Sequence, residues 1–191
     1  MHTIHHTRAV IIKSQPSGEA NKLFWLFTEE LGLVVAVATG VRKHDSKLRS
    51  QLTEYTFITA DLVKGKDVWR LVSATALFDP LGGHPQMPLA RPYVRTLATL
   101  ERFLVDEGVH TELFAHIEES ARAVQTVTVE PAMFDALAIW RTLVHLGYIA
   151  IEDGEILLFT TPFVDAIRLL DTPTTKKFVA LVNATIRETH L

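Results

Sequence analysis

Leu23-Phe24-Trp25-Leu26-Phe27-Thr28 and Leu33-Val34-Val35-Ala36-Val37-Ala38-Thr39, separated by the turn Glu30-Leu31-Gly32, read as two consecutive strands. Each is a short apolar run rich in aromatic or β-branched residues, and each ends in turn chemistry before it reaches the length of an ordinary helix. The second run stops at Gly40-Val41-Arg42-Lys43-His44-Asp45-Ser46-Lys47-Leu48-Arg49, where four of the last eight residues are Lys or Arg. A basic segment leaving a rigid sheet edge is a loop or short helix. It has two readings: a solvated connection, or a grip on the phosphates of a nucleic acid.

Three more strands flank this pair. Residues 7–14, Thr-Arg-Ala-Val-Ile-Ile-Lys-Ser, are β-branched at the centre, and Pro16 to Asn21 supply a turn. Tyr55 to Val63 and Val68 to Ala76 follow the basic segment, joined by the hairpin turn Lys64-Gly65-Lys66-Asp67. Five short strands in about seventy residues predict a small closed barrel. An OB-fold, with its long connection between the third and fourth strands, is the leading candidate, and strand counting leaves an SH3-like barrel open.

The character of the chain changes at Asp79-Pro80-Leu81-Gly82-Gly83-His84-Pro85-Gln86-Met87-Pro88. Beyond it, Val94, Leu97, Leu100 and Phe103, then Leu113, Phe114, Ile117, Ala121 and Val124, then Met133, Phe134, Leu137, Trp140 and Val144 recur at helical spacing. Pro131 suits a first helical position and Gly147 a left-handed C-terminal cap. Asp153-Gly154 between Tyr148–Ile151 and Ile156–Phe159 predicts a β-hairpin. Thr161-Pro162 and Thr172-Pro173 predict two further helices with hydroxyl caps, the last burying Phe178, Val179, Val182 and Ile186. The expected class is α+β: a barrel over residues 1–78, a linker over 79–90, and a helical domain over 91–191 carrying a small hairpin.

Of the 191 residues 48% are hydrophobic, which fits a globular chain. There is no apolar run of about eighteen residues and no apolar stretch of a leader near Met1, so the expected compartment is the cytoplasm. Zero cysteines exclude disulfides, thiolate metal sites and a cysteine nucleophile. Residues 1–70 hold 10 basic and 7 acidic residues, net +3, and the remainder 9 and 15, net −6, which together give the formal −3. The N-terminal part is the one suited to an anionic partner.

No Gly-rich phosphate loop, nucleophile elbow or dinucleotide fingerprint occurs. Glu29/Glu30 and Glu118/Glu119 are neighbours in sequence and read as solvated surface. His2, His5 and His6 form a weak metal candidate without a carboxylate or thiol, His145 suits a helix terminus, and His110 and His116 read as surface histidines. No catalysis, metal or cofactor is therefore expected. An enzyme would need a constellation that only the fold assembles, such as Asp45 or Asp67 beside a histidine. What remains is a set of bases interleaved with aromatics: Lys13, Lys22, Arg42, Lys43, Lys47, Arg49, Lys64, Lys66 and Arg70 among Phe24, Trp25, Tyr55, Phe57 and Trp69. Trp25 and Phe57 are expected inside the barrel, and Trp69 is undecided.

Ala9-Val10-Ile11-Ile12-Lys13, Gly18-Glu19-Ala20-Asn21-Lys22-Leu23, Phe27-Thr28-Glu29-Glu30-Leu31-Gly32 and Ala36 to Lys43 with Ser46-Lys47-Leu48, in this order, resemble the RecO family of bacterial recombination mediators. Leu146-Gly147-Tyr148 resembles the end of the family's helix before its zinc-binding region. The resemblance implies an N-terminal OB-fold, a helical C-terminal domain and non-enzymatic work in DNA repair after DNA damage. It implies binding and annealing of single-stranded DNA, binding of double-stranded DNA, and loading of RecA onto DNA coated by single-stranded DNA-binding protein (SSB). RecR and the acidic C-terminal tail of SSB are the implied partners. Carried over by residue, the DNA contacts are Lys22, Arg42, Lys43, Lys47 and Arg49; charge and position alone add Lys64, Lys66 and Arg70. Many relatives carry a four-cysteine zinc module where this chain has only Tyr148 to Phe159. The alternative is a protein-interaction adaptor on an OB scaffold, its basic loop meeting an acidic protein.

Overall fold

The computed structural model describes residues 3–44, 46, 48–84, 87–104 and 108–189. Five strands, β1 (Ile4–Ser17), β2 (Asn21–Thr28), β3 (Gly32–Ala38), β4 (Phe57–Lys64) and β5 (Trp69–Phe78), close into a barrel in the order β1-β2-β3-β5-β4. All pairings are antiparallel except β3 with β5, which meet in parallel at Ala36↔Trp69 and Val37↔Arg70. β1 serves two partners: Ile4 to Val10 pair with β4, and Ala9 to Ser17 pair with β2. An irregularity between Ile11 and Lys13 bends the strand where it changes neighbours. This closure is that of an OB-fold and removes the SH3-like alternative.

Period-two alternation sends Phe24 and Leu26, Val34, Ala36 and Ala38, Ile58, Ala60 and Leu62, and Trp69 and Leu71 into one core. Small and large residues face one another: Phe24 pairs with Ala36, and Trp69 is buried beside it. Each large side chain buried here contributes about 1.5–3 kcal/mol. Phe57, expected inside the barrel, is buried but on the opposite face: its neighbour Ile58 joins the barrel core, and Phe57 stacks on Phe78 at 4.6 Å outside it. Trp25 is not inside. It pairs with Val35 on the outer face, half-buried, with the Lys13 ammonium 4.5 Å from its ring centroid. Burial of Phe24 opposite alanine sets the phase of the strand, and Trp25 then has to point out. In the β4–β5 hairpin a side chain at Gly65 would place its Cβ 2.2 Å from the Val68 carbonyl oxygen, so the turn accepts only glycine.

The helical part comprises α1 (Ala90–Phe103), α2 (Thr111–Thr126), α3 (Pro131–His145), a 3-10 turn (Asp153–Glu155), α4 (Ile156–Thr160), α5 (Phe163–Leu169) and α6 (Thr172–Glu188). α3 is its axis: every residue from Ala136 to Leu143 is buried, α1 and α6 pack on it, and Trp140 stacks on Phe178 at 4.1 Å. Gly147, at φ +78°, ends α3 in a Schellman motif, with its N–H on the Val144 carbonyl and that of Tyr148 on Leu143. By contact density the chain divides into two units, Met1–Pro80 with Asp106–Thr111, and Leu81–Val105 with Glu112–Leu191. Leu81 and Leu89, inside the expected linker over 79–90, are buried. Among the described residues no helix is long and apolar enough to cross a membrane.

Four expectations for this part need correction. The hairpin over 148–159 does not form: Glu152 and Glu155 close a capping box around the 3-10 turn, and Lys177 of α6 sits 2.7 Å from a carboxylate oxygen of each. Arg141 then captures the Leu158 and Thr161 carbonyls at 2.5–2.8 Å, which holds Ile156–Thr160 as a helical turn. A local Asp-Gly preference of a fraction of a kcal/mol loses to these tertiary bonds. The helix caps are carboxylates, not hydroxyls: Asp171 accepts from the Thr174 N–H, and Glu119 of α2 accepts from the Phe163 N–H. Finally, His116 is 4% exposed and belongs to the interior of the bundle, while Val179, expected inside, is 38% exposed.

Candidate nucleic-acid interface

Two turns at one end of the barrel are tied together before any charged side chain is considered. The Asn21 side-chain oxygen accepts from the Gly40 N–H at 2.9 Å, and the Arg42 N–H donates to the Ala20 carbonyl at 2.9 Å. This seats Lys22, at the start of β2, near Arg42. The chain then advances through successive i to i+3 bonds, Lys43 to Gly40, Ser46 to Lys43, Arg49 to Ser46 and Gln51 to Leu48. Val41 and Leu52 are anchored in the barrel core and Leu48 packs against it, so this segment is pinned at both ends. The segment forecast as a loop or short helix is a run of tight turns.

These constraints bring Lys22, Arg42 and Arg49 around one depression of about 320 Å³ whose other lining residues are Phe24, Val41 and Leu52. Lys22 Nζ donates to Ser14 Oγ at 3.3 Å, and Arg42 Nη1 donates to the Gly18 carbonyl at 2.9 Å. Arg49 is exposed and its side chain has no partner among the described residues. Among the described residues no carboxylate lines the depression. Lys43 is exposed beside it, and Lys47, like Asp45, lies outside the described residues.

Lys64, Lys66 and Arg70 do not join this pocket. They stand on the β4–β5 hairpin, exposed, with Lys64 Nζ 5.5 Å from the Trp69 ring centroid and Arg70 flanked by Val63 and Val37. Between the two groups lies the outer face of β2 and β3, where Leu23, Trp25, Leu33, Val35 and Val37 are half-buried. The face used for oligonucleotides in OB-folds is that of strands 2 and 3 with the adjoining loops. Here it is an apolar stripe with one indole ring, a lysine over that ring, and bases at its borders. Lys13 and Trp25 are the residues that sequence reasoning left out of the site; the pairing of Phe24 with a small residue on β3 was the signal for them.

Other charges are already committed. Arg8 holds Glu29 by two bonds of 2.8 and 2.7 Å, and this hydrogen bonding keeps the Glu29 carboxyl below its ordinary range. His6 faces Asp61 at 2.6 Å while His5 meets the edge of Trp69, so these two histidines turn to different partners; His2 lies outside the described residues. Among the described residues no group of three or more His, Asp or Glu is arranged to hold a metal ion.

In the helical unit Arg122 pairs with Glu118, Arg168 with Asp165 and Arg95 with Asp135, while Arg141 is buried against carbonyls. Two adjoining depressions of about 400 and 490 Å³ share Ala132 and Val179. Together they form a largely apolar groove with Arg91, Arg95 and Lys176 on its walls. Asp135 lies there too; burial raises its carboxyl above the usual value, and Arg95 partly offsets this.

Residues 1–77 match the family described as Recombination protein O N terminal. The DNA repair protein RecO of Desulfitobacterium hafniense is 31% identical over 147 residues, 76% of this chain and 52% of that protein. That of Gloeothece citriformis is 28% identical over 152 residues, 78% of this chain and 52% of that protein. That of Clostridium perfringens is 44% identical over 62 residues, 32% of this chain and 25% of that protein. The chain spans about half the length of the curated relatives it matches over most of its own length.

Proposed function

We propose, from the match of residues 1–77 to the family described as Recombination protein O N terminal, that the chain is a RecO-family DNA-binding recombination mediator in repair, acting by binding and not by catalysis. The observation that carries this reading is the convergence of Lys22, Arg42 and Arg49 at the end of the OB barrel, with the Trp25 face beside them. Phosphates neutralised by such bases release counterions, and each contact on a single strand steepens the fall of log affinity with log salt by about 0.7. A base stacked on the Trp25 ring would add about 1–3 kcal/mol without regard to sequence. Both terms suit a protein that must meet any strand, anneal it to a complement and assist RecA loading with RecR in the cytoplasm.

The same reading assigns the acidic tail of SSB to the groove between the starts of α1, α3 and α6. An acidic peptide with apolar residues finds there an apolar floor at Ala132, Met133 and Val179 and bases at Arg91, Arg95 and Lys176. Glu130 and Asp135 share this lining and Asp135 already pairs with Arg95, so Arg91 and Lys176 are the bases that would meet the tail. A second reading, a protein-interaction adaptor, is favoured by the exposed apolar side chains of Ile156, Leu157 and Leu169. Labelled oligo-dT titrated at two salt concentrations, with an SSB-tail peptide in parallel, separates the two. Steep salt dependence supports the mediator, and peptide binding without any oligonucleotide binding supports the adaptor.

A further inference from the structure

The barrel-end pocket has more charge than a strand passing over a surface would use. Three cations reach it from three segments, the start of β2, the turn at 42 and the turn at 49, and among the described residues no carboxylate shares the lining. Its apolar residues, Phe24, Val41 and Leu52, are 0%, 3% and 6% exposed, so they offer no ring face on which a base could stack. The site is therefore shaped for a compact polyanion. An internal phosphodiester carries a single charge and is tethered on both sides. A phosphomonoester carries close to two charges at neutral pH, presents three terminal oxygens and has one tether, so it can enter a depression end-on.

We infer that this pocket receives the terminal phosphomonoester of a DNA strand. The inference rests on the barrel being a DNA-binding unit and deepens that reading: strands ending in phosphate become the preferred ligand, and the barrel marks an end as well as following a backbone. Arg49 is the discriminating residue. Lys22 already donates to Ser14 and Arg42 already gives Nη1 to Gly18, whereas the Arg49 guanidinium keeps its paired donors for the ligand.

The test is fluorescence anisotropy on the full chain with internally labelled oligo-dT bearing a 5′-phosphate, a 3′-phosphate or hydroxyls at both ends, at constant ionic strength. One of the phosphorylated strands is expected to bind about tenfold more tightly than the hydroxyl strand, the scale of one strong charge-assisted contact. Arg49→Ala should abolish that difference, and Arg49→Lys should retain part of it. Lys66→Ala, off the pocket, should weaken all three strands alike. Equal affinity for all three strands with steep salt dependence overturns the pocket inference and leaves DNA binding standing; failure of every strand to bind at low salt overturns both. Competition by thymidine monophosphate or inorganic phosphate at concentrations below those of the phosphorylated strand would assign the pocket to a free small molecule and overturn the strand end as its source.

Discussion

Lowering the pH from 7 to 5 should destabilise the helical unit through His116. The ring is 4% exposed, Nε2–H donates to the Ala138 carbonyl at 3.0 Å, and Nδ1 has no hydrogen-bond partner among the described residues. A second proton would have to sit on Nδ1, inside the bundle, near the Arg141 guanidinium and against the His145 ring stacked at 5.6 Å. Burial first, then Arg141 and His145, push the His116 pKa from 6.5 down to about 3. The folded state therefore keeps a neutral ring where the unfolded chain takes up a proton. Above pH 6.5 both states are neutral and nothing is lost. Below it stability falls by about 1.4 kcal/mol per pH unit until the folded pKa is reached, so the step from pH 7 to 5 costs about 2 kcal/mol from this residue alone. His145, also lowered by burial and Arg141, acts in the same direction, whereas Asp135, raised by burial, opposes it at lower pH. Urea unfolding followed by helical circular dichroism at pH 7, 6 and 5 should show a slope that His116→Gln reduces by about one proton. An unchanged slope in that variant, or an imidazole resonance of the native protein that titrates near 6.5 at this position, would refute the reasoning.

Other outcomes follow from single contacts. Arg141→Met removes the donors to Leu158 and Thr161, and two part-buried carbonyls left without their charged donor should cost about 2 kcal/mol, read as a lowered melting temperature of the helical signal; a loss under about 0.5 kcal/mol contradicts the role given to this residue. Gly65→Ala drives a Cβ into the Val68 carbonyl and should cost the barrel about 1–3 kcal/mol while shifting amide resonances of the hairpin carrying Lys64 and Lys66. Trp25→Ala should weaken oligo-dT binding by about fivefold or more with the salt slope unchanged, because stacking and counterion release are independent terms; a changed slope with unchanged affinity at low salt would contradict it.

The strands were legible because β-branched and aromatic runs end in Gly, Pro and Asn turns, and α3 because Pro131 and Gly147 bracket an apolar helical period. Alternation reports the period of a strand and not its phase, which is why Trp25 was assigned to the wrong face. Choosing between an OB and an SH3-like barrel needed the β1–β4 and β3–β5 pairings, contacts between residues more than thirty apart in sequence. The misread hairpin and the misread His116 share a cause. Arg141, one basic letter in an apolar helix, organises both the 156–162 segment and the histidine pocket, and nothing beside it in sequence announces that. As for the candidate site, its residue types were legible, but its division into a pocket around Lys22, Arg42 and Arg49 and a separate hairpin group was not. The turns that join Asn21 to Gly40 and Ala20 to Arg42 bridge about twenty residues.

The shared pairing of β1 also orders the assembly of the barrel in time. Its C-terminal half finds β2 across a three-residue turn, so the β1-β2-β3 meander can form from neighbouring sequence alone. Its N-terminal half must wait for β4, with Ile4 meeting Val63. Closing that loop carries the larger entropic cost and comes later, making the β1–β4 seam the slow step of barrel folding. Until it closes, the backbone donors and acceptors of residues 4–10 form an open edge, which makes this stretch the point where a nascent or partly unfolded chain is most exposed to pairing with another.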